Sequence, residues 1–440
     1  MSIVLPPSAA PRSAYPSEVL PEPVRRRLLE LAEGETPVSA YLYDGQAAAA
    51  RARELRAALP KWAAVHYAVK ANSFPGVVRA LAPYVDGFEV ASRTELELAL
   101  AALRERDGLG GTPDSPASPA TVVPVVPVVA AGPAKSVPVL TALVRAGVEA
   151  INAESLLELH RISRIAVAEG TTARVALRVN PADAPTAGAT AAPASGSLRM
   201  GGRPSQFGVP EPDVPGVLEQ ALRLPGLDVT GFHVHAASNN LDADSQAAHL
   251  RRCVEWSAAT ARRHGVDLRM VDVGGGIGVA FEELAGERPF DVSRFGELVA
   301  ECEPPPGVRV VLEPGRFLVA DCGWYAAEVT DVKHSYGTAF AVLRGGINHF
   351  QLPTSWDLVH NIVVLPVDRW PDGLPRPEAA GERVTVVGEL CTPEDTLLRD
   401  VRVDRVRAGD LVVFPYAGSY GWEFAMHGFL GHPVAERHLL

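Results

Sequence analysis

Short apolar runs, many of them β-branched and each closed by polar or turn residues, recur along the chain up to residue 312. They are Ala64–Val69, Gly87–Val90, Val126–Ala130, Val148–Ile151, Arg174–Val179, Val229–Val234, Arg269–Val273 and Val308–Leu312. Between most of them apolar residues fall at helical spacing, as in Arg93–Arg104, Ser155–Ala168, Pro215–Leu222 and Ser245–His264. Strands that are apolar on both faces are buried on both faces, which parallel sheets covered by helices require. Eight strand-then-helix units therefore predict a (β/α)₈ TIM barrel.

The residues just past these runs are Lys70, Ala91-Ser92, Gly132-Pro133, Asn152, Asn180, His235, Gly274 and Glu313. In such barrels that rim holds the active site. After Cys322 the texture changes to strand-like runs with turns, Arg383–Val387, Leu397–Val403 and Asp410–Phe414. The pattern predicts a barrel over 45–322 and a C-terminal β domain over 323–440. The segment 1–44 joins the β domain through Val38–Tyr43. Asp107–Pro119 and Pro181–Ser197, rich in Gly, Pro, Ala, Ser and Thr, read as loops inserted into the barrel.

Composition narrows the function. With 440 residues, 47% hydrophobic and 21% charged, the chain can bury a large core. A net charge of −11 argues against a general binder of nucleic acid or anionic membranes. Cys253, Cys302, Cys322 and Cys391 show no CxxC pairing, which fits a reducing cytoplasm. The proline-rich start, Met1–Pro23, carries no secretory signal, and the most apolar stretch, Val122–Ala131, is short and holds two prolines, so no membrane span is expected. The 12 histidines offer no HExxH spacing, and no metal is expected.

Lys70 carries the chemistry. A lysine at the end of a buried strand is partly desolvated, which lowers its pKa and frees the amine to attack an aldehyde. Gly274-Gly275-Gly276, after the seventh strand, lets backbone N–H groups approach a phosphate. Glu313-Pro314-Gly315-Arg316, after the eighth, adds a carboxylate and a guanidinium that can pair with that anion. Of His233 and His235, only His235 is expected to face the barrel interior with a role. Cys253, Cys302 and Cys322 read as structural.

Taken in order, these segments resemble the fold-type III pyridoxal-phosphate decarboxylases, which include diaminopimelate and ornithine decarboxylases. The resemblance rests on Tyr67-Ala68-Val69-Lys70-Ala71-Asn72, Phe88-Glu89-Val90-Ala91-Ser92, Ala131-Gly132-Pro133-Ala134-Lys135, His233-Val234-His235, Gly274-Gly275-Gly276, Glu313-Pro314-Gly315-Arg316, Cys391 with Asp395, and Ser419-Tyr420. It implies an alanine racemase-like barrel, pyridoxal 5'-phosphate as cofactor, and a homodimer with shared active sites. Lys70 would hold the cofactor as an imine, Glu313 would pair with its pyridinium nitrogen, His235 would stack on its ring and Arg178 would lie near its phenolic oxygen. Glu89 would also belong to the cofactor site. Ser238, Gly274, Gly275, Gly276, Arg316 and Tyr420 would hold the phosphate. Cys391, Thr392 and Asp395 would meet substrate from the partner subunit, the Cys391 thiol donating the proton that replaces carboxylate.

One departure bears on substrate. In diaminopimelate and ornithine decarboxylases the residue after the cysteine is acidic, whereas here it is Thr392, so a distal ammonium is less well supported. Ser238-Asn239-Asn240, Cys391-Thr392-Pro393 and Asn348-His349-Phe350-Gln351-Leu352-Pro353 are more similar to the branch acting on citrate-containing siderophore intermediates, of the staphyloferrin B type. Arg199, Arg203, His349 and His427 are candidate partners for an acidic tail. A decarboxylase of aminoacyl groups tethered to a carrier protein, an amino-acid racemase and a catalytically silent pyridoxal-binding regulator are the alternatives. A racemase needs no Cys-x-x-x-Asp pair, and the regulator would lack residues 323–440.

Overall fold

The computed structural model describes residues 12–108, 125–182, 198–199, 202, 204–281, 287–353, 356 and 361–440. The two inserted segments expected over 107–119 and 181–197 lie, after their first two residues, outside that set. Contacts divide the chain into two compact units, 45–319 and a second formed by 1–44 with 320–440.

The first unit is a closed barrel of eight parallel strands, Ala63–Ala68, Gly87–Val90, Val126–Ala130, Val148–Ala153, Ala173–Asn180, Leu227–His233, Met270–Asp272 and Arg309–Leu312. The eighth pairs back onto the first, Val310 to Ala63 and Leu312 to Val65. The TIM-barrel expectation holds, with boundaries that move by up to two residues. Two of those shifts matter. The first strand stops at Ala68, and Lys70 sits on a single 3₁₀ turn, Val69–Ala71. The fourth strand runs on to Ala153, which puts Glu154, and not only Asn152, at its polar end.

Helix starts after the second and fourth strands use the same device. Ser92 accepts the N–H of Glu95, whose carboxylate accepts the N–H of Ala91 at 2.6 Å. Ser155 accepts the N–H of Glu158, whose carboxylate accepts the N–H of Glu154 at 2.7 Å. Each reciprocal cap satisfies helix-terminal amides that would otherwise lack partners and is worth about 1 kcal/mol. Each also pins the rim residue just before the helix.

The barrel interior follows the two-residue period of a strand. Ala64, Val129, Ala150, Ala176, Met270 and Val311 pack together as its apolar middle. Two positions further along the same inward rows lie Asn152, Arg178, Asp272 and Glu313. Those four rows thus turn from apolar to polar toward their C-terminal ends. The polar rim is a consequence of strand periodicity, and small side chains in the middle layer leave room for it.

In the second unit the 13-residue strand Gly323–Ser335 is the organiser. Its first half pairs antiparallel with Ser39–Tyr43 and with Leu411–Phe414, and its second half with Thr338–Leu343. Glu378–Val387 and Thr396–Arg407 extend that sheet, which has nine strands. The core beneath it joins Val24 and Leu28 of the helix Glu22–Ala32 to Leu42, Trp324, Val363, Leu411 and Val413. Among the described residues no helix is long and apolar enough to cross a membrane.

Candidate active site

The barrel rim gathers Lys70, Glu89, Arg178, His233, His235, Asp272, the Gly274–Gly276 turn, Glu313 and Arg316. The Lys70 turn is braced locally: the Tyr67 hydroxyl donates to the Asn72 carbonyl at 2.9 Å, and the Asn72 side chain accepts the N–H of Phe74. The Lys70 ammonium donates to Glu89 Oε2 at 2.7 Å, with the lysine side chain 44% exposed and the glutamate wholly buried. Burial pushes the Glu89 carboxyl up to about 7, against the pull of Lys70.

Glu313 is 5% exposed, and its Oε1 has no hydrogen-bond partner among the described residues. Its Oε2 lies 3.6 Å from His233 Nε2, and Asp272 Oδ1 lies 4.0 Å from the same nitrogen. Burial raises both carboxyls. In Asp272 the neighbouring Glu313 adds to that rise, whereas in Glu313 it is outweighed by His233 and Lys70, so Glu313 ionises first and Asp272 keeps the proton. Burial lowers His233 despite the pull of Glu313, with Arg178 adding to the fall. Asp272 is fixed by the N–H of Gly274 at 2.9 Å and by Asn152 Nδ2 at 3.0 Å.

The expectation that His233 and His235 face opposite ways is corrected here. Residues two apart along a strand share a face, so the row that carries His233 inward continues to His235. Gly275 N–H donates to His235 Nδ1 at 3.2 Å, which leaves Nε2–H to donate to Ser238 Oγ, also 3.2 Å away. Burial, with the charges of Arg178 and Lys70, holds His235 well below the usual imidazole range, so its ring is neutral.

The glycine turn is tight by construction. A Cβ on Gly274 would lie 2.5 Å from His235 Nδ1, and one on Gly275 would lie 2.5 Å from the Glu313 carbonyl oxygen. Gly274 and Gly276 adopt φ of 68° and 106°, backbone that favours glycine. With the amides of Gly274 and Gly275 spent on Asp272 and His235, Gly276 N–H is the one of the three that donates to nothing among the described residues. Arg316 is 6% exposed, and its guanidinium lies 5.6 Å from the centre of the Phe281 ring.

Arg178 Nη1 donates to Glu154 Oε1 at 2.6 Å, and its guanidinium lies 4.6 Å from the centre of the Phe207 ring. Glu154 and Phe207 were not singled out in the sequence. For Glu154 the signal was present, because Asn152-Ala153-Glu154 follows an apolar run, but ending the strand at Ile151 assigned the rim position to Asn152.

The remaining candidates lie in the second unit. Cys391 is a free, exposed thiol. Asp395 is 3% exposed and turned inward, accepting the N–H groups of Ile347 and Leu390, both at 2.8 Å. Thr392 Oγ1 accepts the N–H of Glu394 at 3.3 Å. Tyr420 has φ of 64° and its ring meets Trp356 edge-on at 5.0 Å. His349, offered as a partner for an acidic tail, is 1% exposed and engaged at both nitrogens, with Ser39 Oγ and the Pro433 carbonyl each at 2.8 Å. Its burial removes it from that role. His427 Nε2 donates to the Trp422 carbonyl at 2.9 Å. The side chains of Arg199 and Arg203 lie outside the described residues.

The unmet acceptor of Glu313 asks for a protonated ring nitrogen, the free amide of Gly276 asks for an anion, and Lys70 asks for an aldehyde. Pyridoxal 5'-phosphate supplies all three, so fold and site together define a pyridoxal-phosphate enzyme built on a TIM barrel. The chain belongs to the pyridoxal-dependent decarboxylases: residues 46–320 match the family model described as the pyridoxal binding domain of that family. It is similar to the 2-[(L-alanin-3-ylcarbamoyl)methyl]-2-hydroxybutanedioate decarboxylase of Staphylococcus aureus, 36% identical over 91% of this chain and 93% of that one. It is also similar to the L-glutamyl-[BtrI acyl-carrier protein] decarboxylase of Niallia circulans, 32% identical over 91% of this chain and 87% of that one. Among solved structures, diaminopimelate decarboxylase from Helicobacter pylori complexed with L-lysine aligns with a TM-score of 0.75 at 25% identity, covering 93% of both chains. The protein is thus a pyridoxal-phosphate-dependent amino-acid decarboxylase.

Proposed function

We propose that the protein removes the α-carboxylate of an L-amino acid whose distal end is acidic, hydroxylated or tethered to a carrier protein, in siderophore or other specialised-metabolite biosynthesis in the cytoplasm. The observation that carries this reading is Thr392. Where a carboxylate would pair with a distal ammonium, this chain has a hydroxyl occupied with its own turn. Close by in the same unit, Arg344 and Asn348 donate to Glu389 Oε1 while His432 Nδ1 lies 3.6 Å from that oxygen, a set of donors able to exchange onto an acidic tail. The names of the two relatives support the reading, one describing a hydroxylated dicarboxylate arm and the other a carrier-bound glutamyl group.

Pyridoxal phosphate, when bound, accepts the electron pair left on the α-carbon as the bond to the carboxylate breaks and CO₂ leaves. In this reading Lys70 carries the cofactor and Glu89 sets the charge around that lysine. Glu313, the more acidic of the two buried carboxyls, holds a proton on the ring nitrogen. His235, neutral and fixed by Gly275 and Ser238, would lie against the ring, and Arg178 would serve the phenolic oxygen. Gly276 N–H, Arg316, Ser238 and Tyr420 would hold the phosphate, with Gly274 and Gly275 shaping the turn. Cys391 of the partner subunit delivers the proton that replaces CO₂, and its loop is held by the inward-turned Asp395.

The test is CO₂ release across free, hydroxydicarboxylate-linked and carrier-linked amino acids. Losing one buried charge-assisted hydrogen bond costs about 1.5–3 kcal/mol, so lysine, ornithine and meso-diaminopimelate should be about tenfold to a hundredfold worse in kcat/KM than the best linked substrate. Equal efficiency with free diaminopimelate or ornithine sinks the substrate assignment. Sharing of sites is tested by mixing inactive Lys70→Ala and Cys391→Ala chains, which should regain activity through one intact site per mixed dimer. No recovery counts against it.

A further inference from the structure

Behind Arg178 lies a chain of buried charge that the decarboxylation chemistry does not use. Lys135 Nζ lies 3.0 Å from Glu158 Oε1 and also donates to the carbonyls of Gly132 and Asn152, at 2.6 and 3.0 Å. Glu158, through its other oxygen, holds the backbone N–H of Glu154. Glu154 then divides its carboxylate, taking Arg178 on Oε1 and the N–H of Gly208 on Oε2 at 2.7 Å. Lys135, Glu154, Glu158 and Arg178 are each at most 7% exposed.

A buried ion pair is weak as a source of stability, because desolvation offsets most of the attraction. What such a pair does well is fix direction: a carboxylate with both oxygens committed holds a guanidinium in one place. Gly208 is the point where the chain returns to the barrel beside the fifth strand, with Val209–Pro210 pairing with Val179–Asn180. A side chain at that position would be strained, since Gly208 has φ of 71° and a Cβ there would lie 3.0 Å from the Arg178 carbonyl oxygen. The residue before it, Phe207, covers the Arg178 guanidinium. One carboxylate therefore ties the guanidinium to the segment that covers it. Arg178 in turn is the largest charge acting on His235 after burial.

We propose that Glu154 is a positioning residue, which locks Arg178 and the Phe207-Gly208 segment into a single arrangement facing the rim, with Glu158 fixing its backbone. This rests on the reading that Arg178 serves the cofactor. The experiment uses the holoenzyme and follows the pH titration of its visible absorbance band, together with melting of each variant. Glu154→Gln keeps an acceptor but loses the charge, and should move the titration midpoint by about half a pH unit or more while lowering kcat about tenfold. Glu154→Asp, which keeps the charge, should restore part of the midpoint shift. Glu158→Gln keeps an oxygen to accept the Glu154 N–H and loses only the charge facing Lys135, so it should lower the melting temperature with the midpoint unmoved. If Arg178→Lys moves the midpoint and Glu154→Gln does not, Arg178 serves the cofactor but Glu154 does not position it. If neither moves it, the role given to Arg178 is wrong as well. An equal shift in Glu158→Gln and Glu154→Gln would reduce the effect to general loosening and overturn the proposal.

Discussion

Lys70 donates to Glu89 across 2.7 Å, joining a half-exposed ammonium to a carboxyl with no exposure at all. Burial alone would keep Glu89 protonated, and Lys70 is what draws it back toward ionisation, to about 7.

Lys70→Ala should abolish the yellow colour and cut activity by roughly a thousandfold or more, as expected when a covalent catalytic amine is removed. The fold should survive, because an unpaired Glu89 can take up a proton. Borohydride treatment of the wild-type holoenzyme followed by peptide mapping should place the cofactor on Lys70, and a label on Lys135 or Lys333 would refute the assignment.

Glu313→Gln keeps the volume of the side chain and removes the charge. Cofactor should still bind, while kcat should fall about a hundredfold to a thousandfold, the scale of losing one preorganised electrostatic contact. Single-turnover kinetics reads the effect directly, and a near-wild-type rate would remove Glu313 from its role.

His66, buried within the first barrel strand, faces Glu149 at 3.4 Å and is pushed down to about 4 by burial, with Arg309 adding to the fall. Between about 6.5 and 4 the unfolded chain binds a proton that the folded one refuses, so this group loses stability as pH falls, by about 1.4 kcal/mol per pH unit. Glu89 works the other way over much of the same window, since its folded form holds the proton. The His66 contribution is isolated by comparing urea unfolding of wild type and His66→Gln from pH 7 to pH 4. The wild type should lose stability more steeply by about that slope, and parallel curves would contradict the account.

Asp395 accepts one backbone N–H on each oxygen, and Cβ atoms on Gly346 or Gly388 would lie 2.0 and 2.3 Å from its carboxylate. Asparagine in that pocket must turn its NH₂ toward one of two donors. Asp395→Asn should cost about 1–3 kcal/mol and speed alkylation of Cys391 as the 388–395 loop loosens. Cys391→Ala should leave melting unchanged, and an equally stable, equally slow-reacting Asp395→Asn would deny Asp395 its place as the loop's anchor.

Much of this was legible in the chain itself. Eight apolar runs with helical spacing between them specify the barrel, because parallel strands buried on both faces admit few other arrangements. Lys70, the three glycines and Glu313 were readable as a rim because each follows such a run directly. Tertiary structure alone decided which polar atoms meet across the barrel. It turned His233 inward beside Glu313, left Gly276 as the one amide of its turn with no acceptor among the described residues, enclosed His349 and Asp395, and brought Glu154 onto Arg178. Those outcomes depend on registers between strands and on contacts between residues as far apart as Asn152 and Asp272 or Glu154 and Gly208. Local pattern reports which face a residue takes and how long its strand runs to within a residue or two. At a rim that uncertainty is enough to exchange Asn152 for Glu154, and only the packed barrel, where each buried polar atom must find a partner, resolves it.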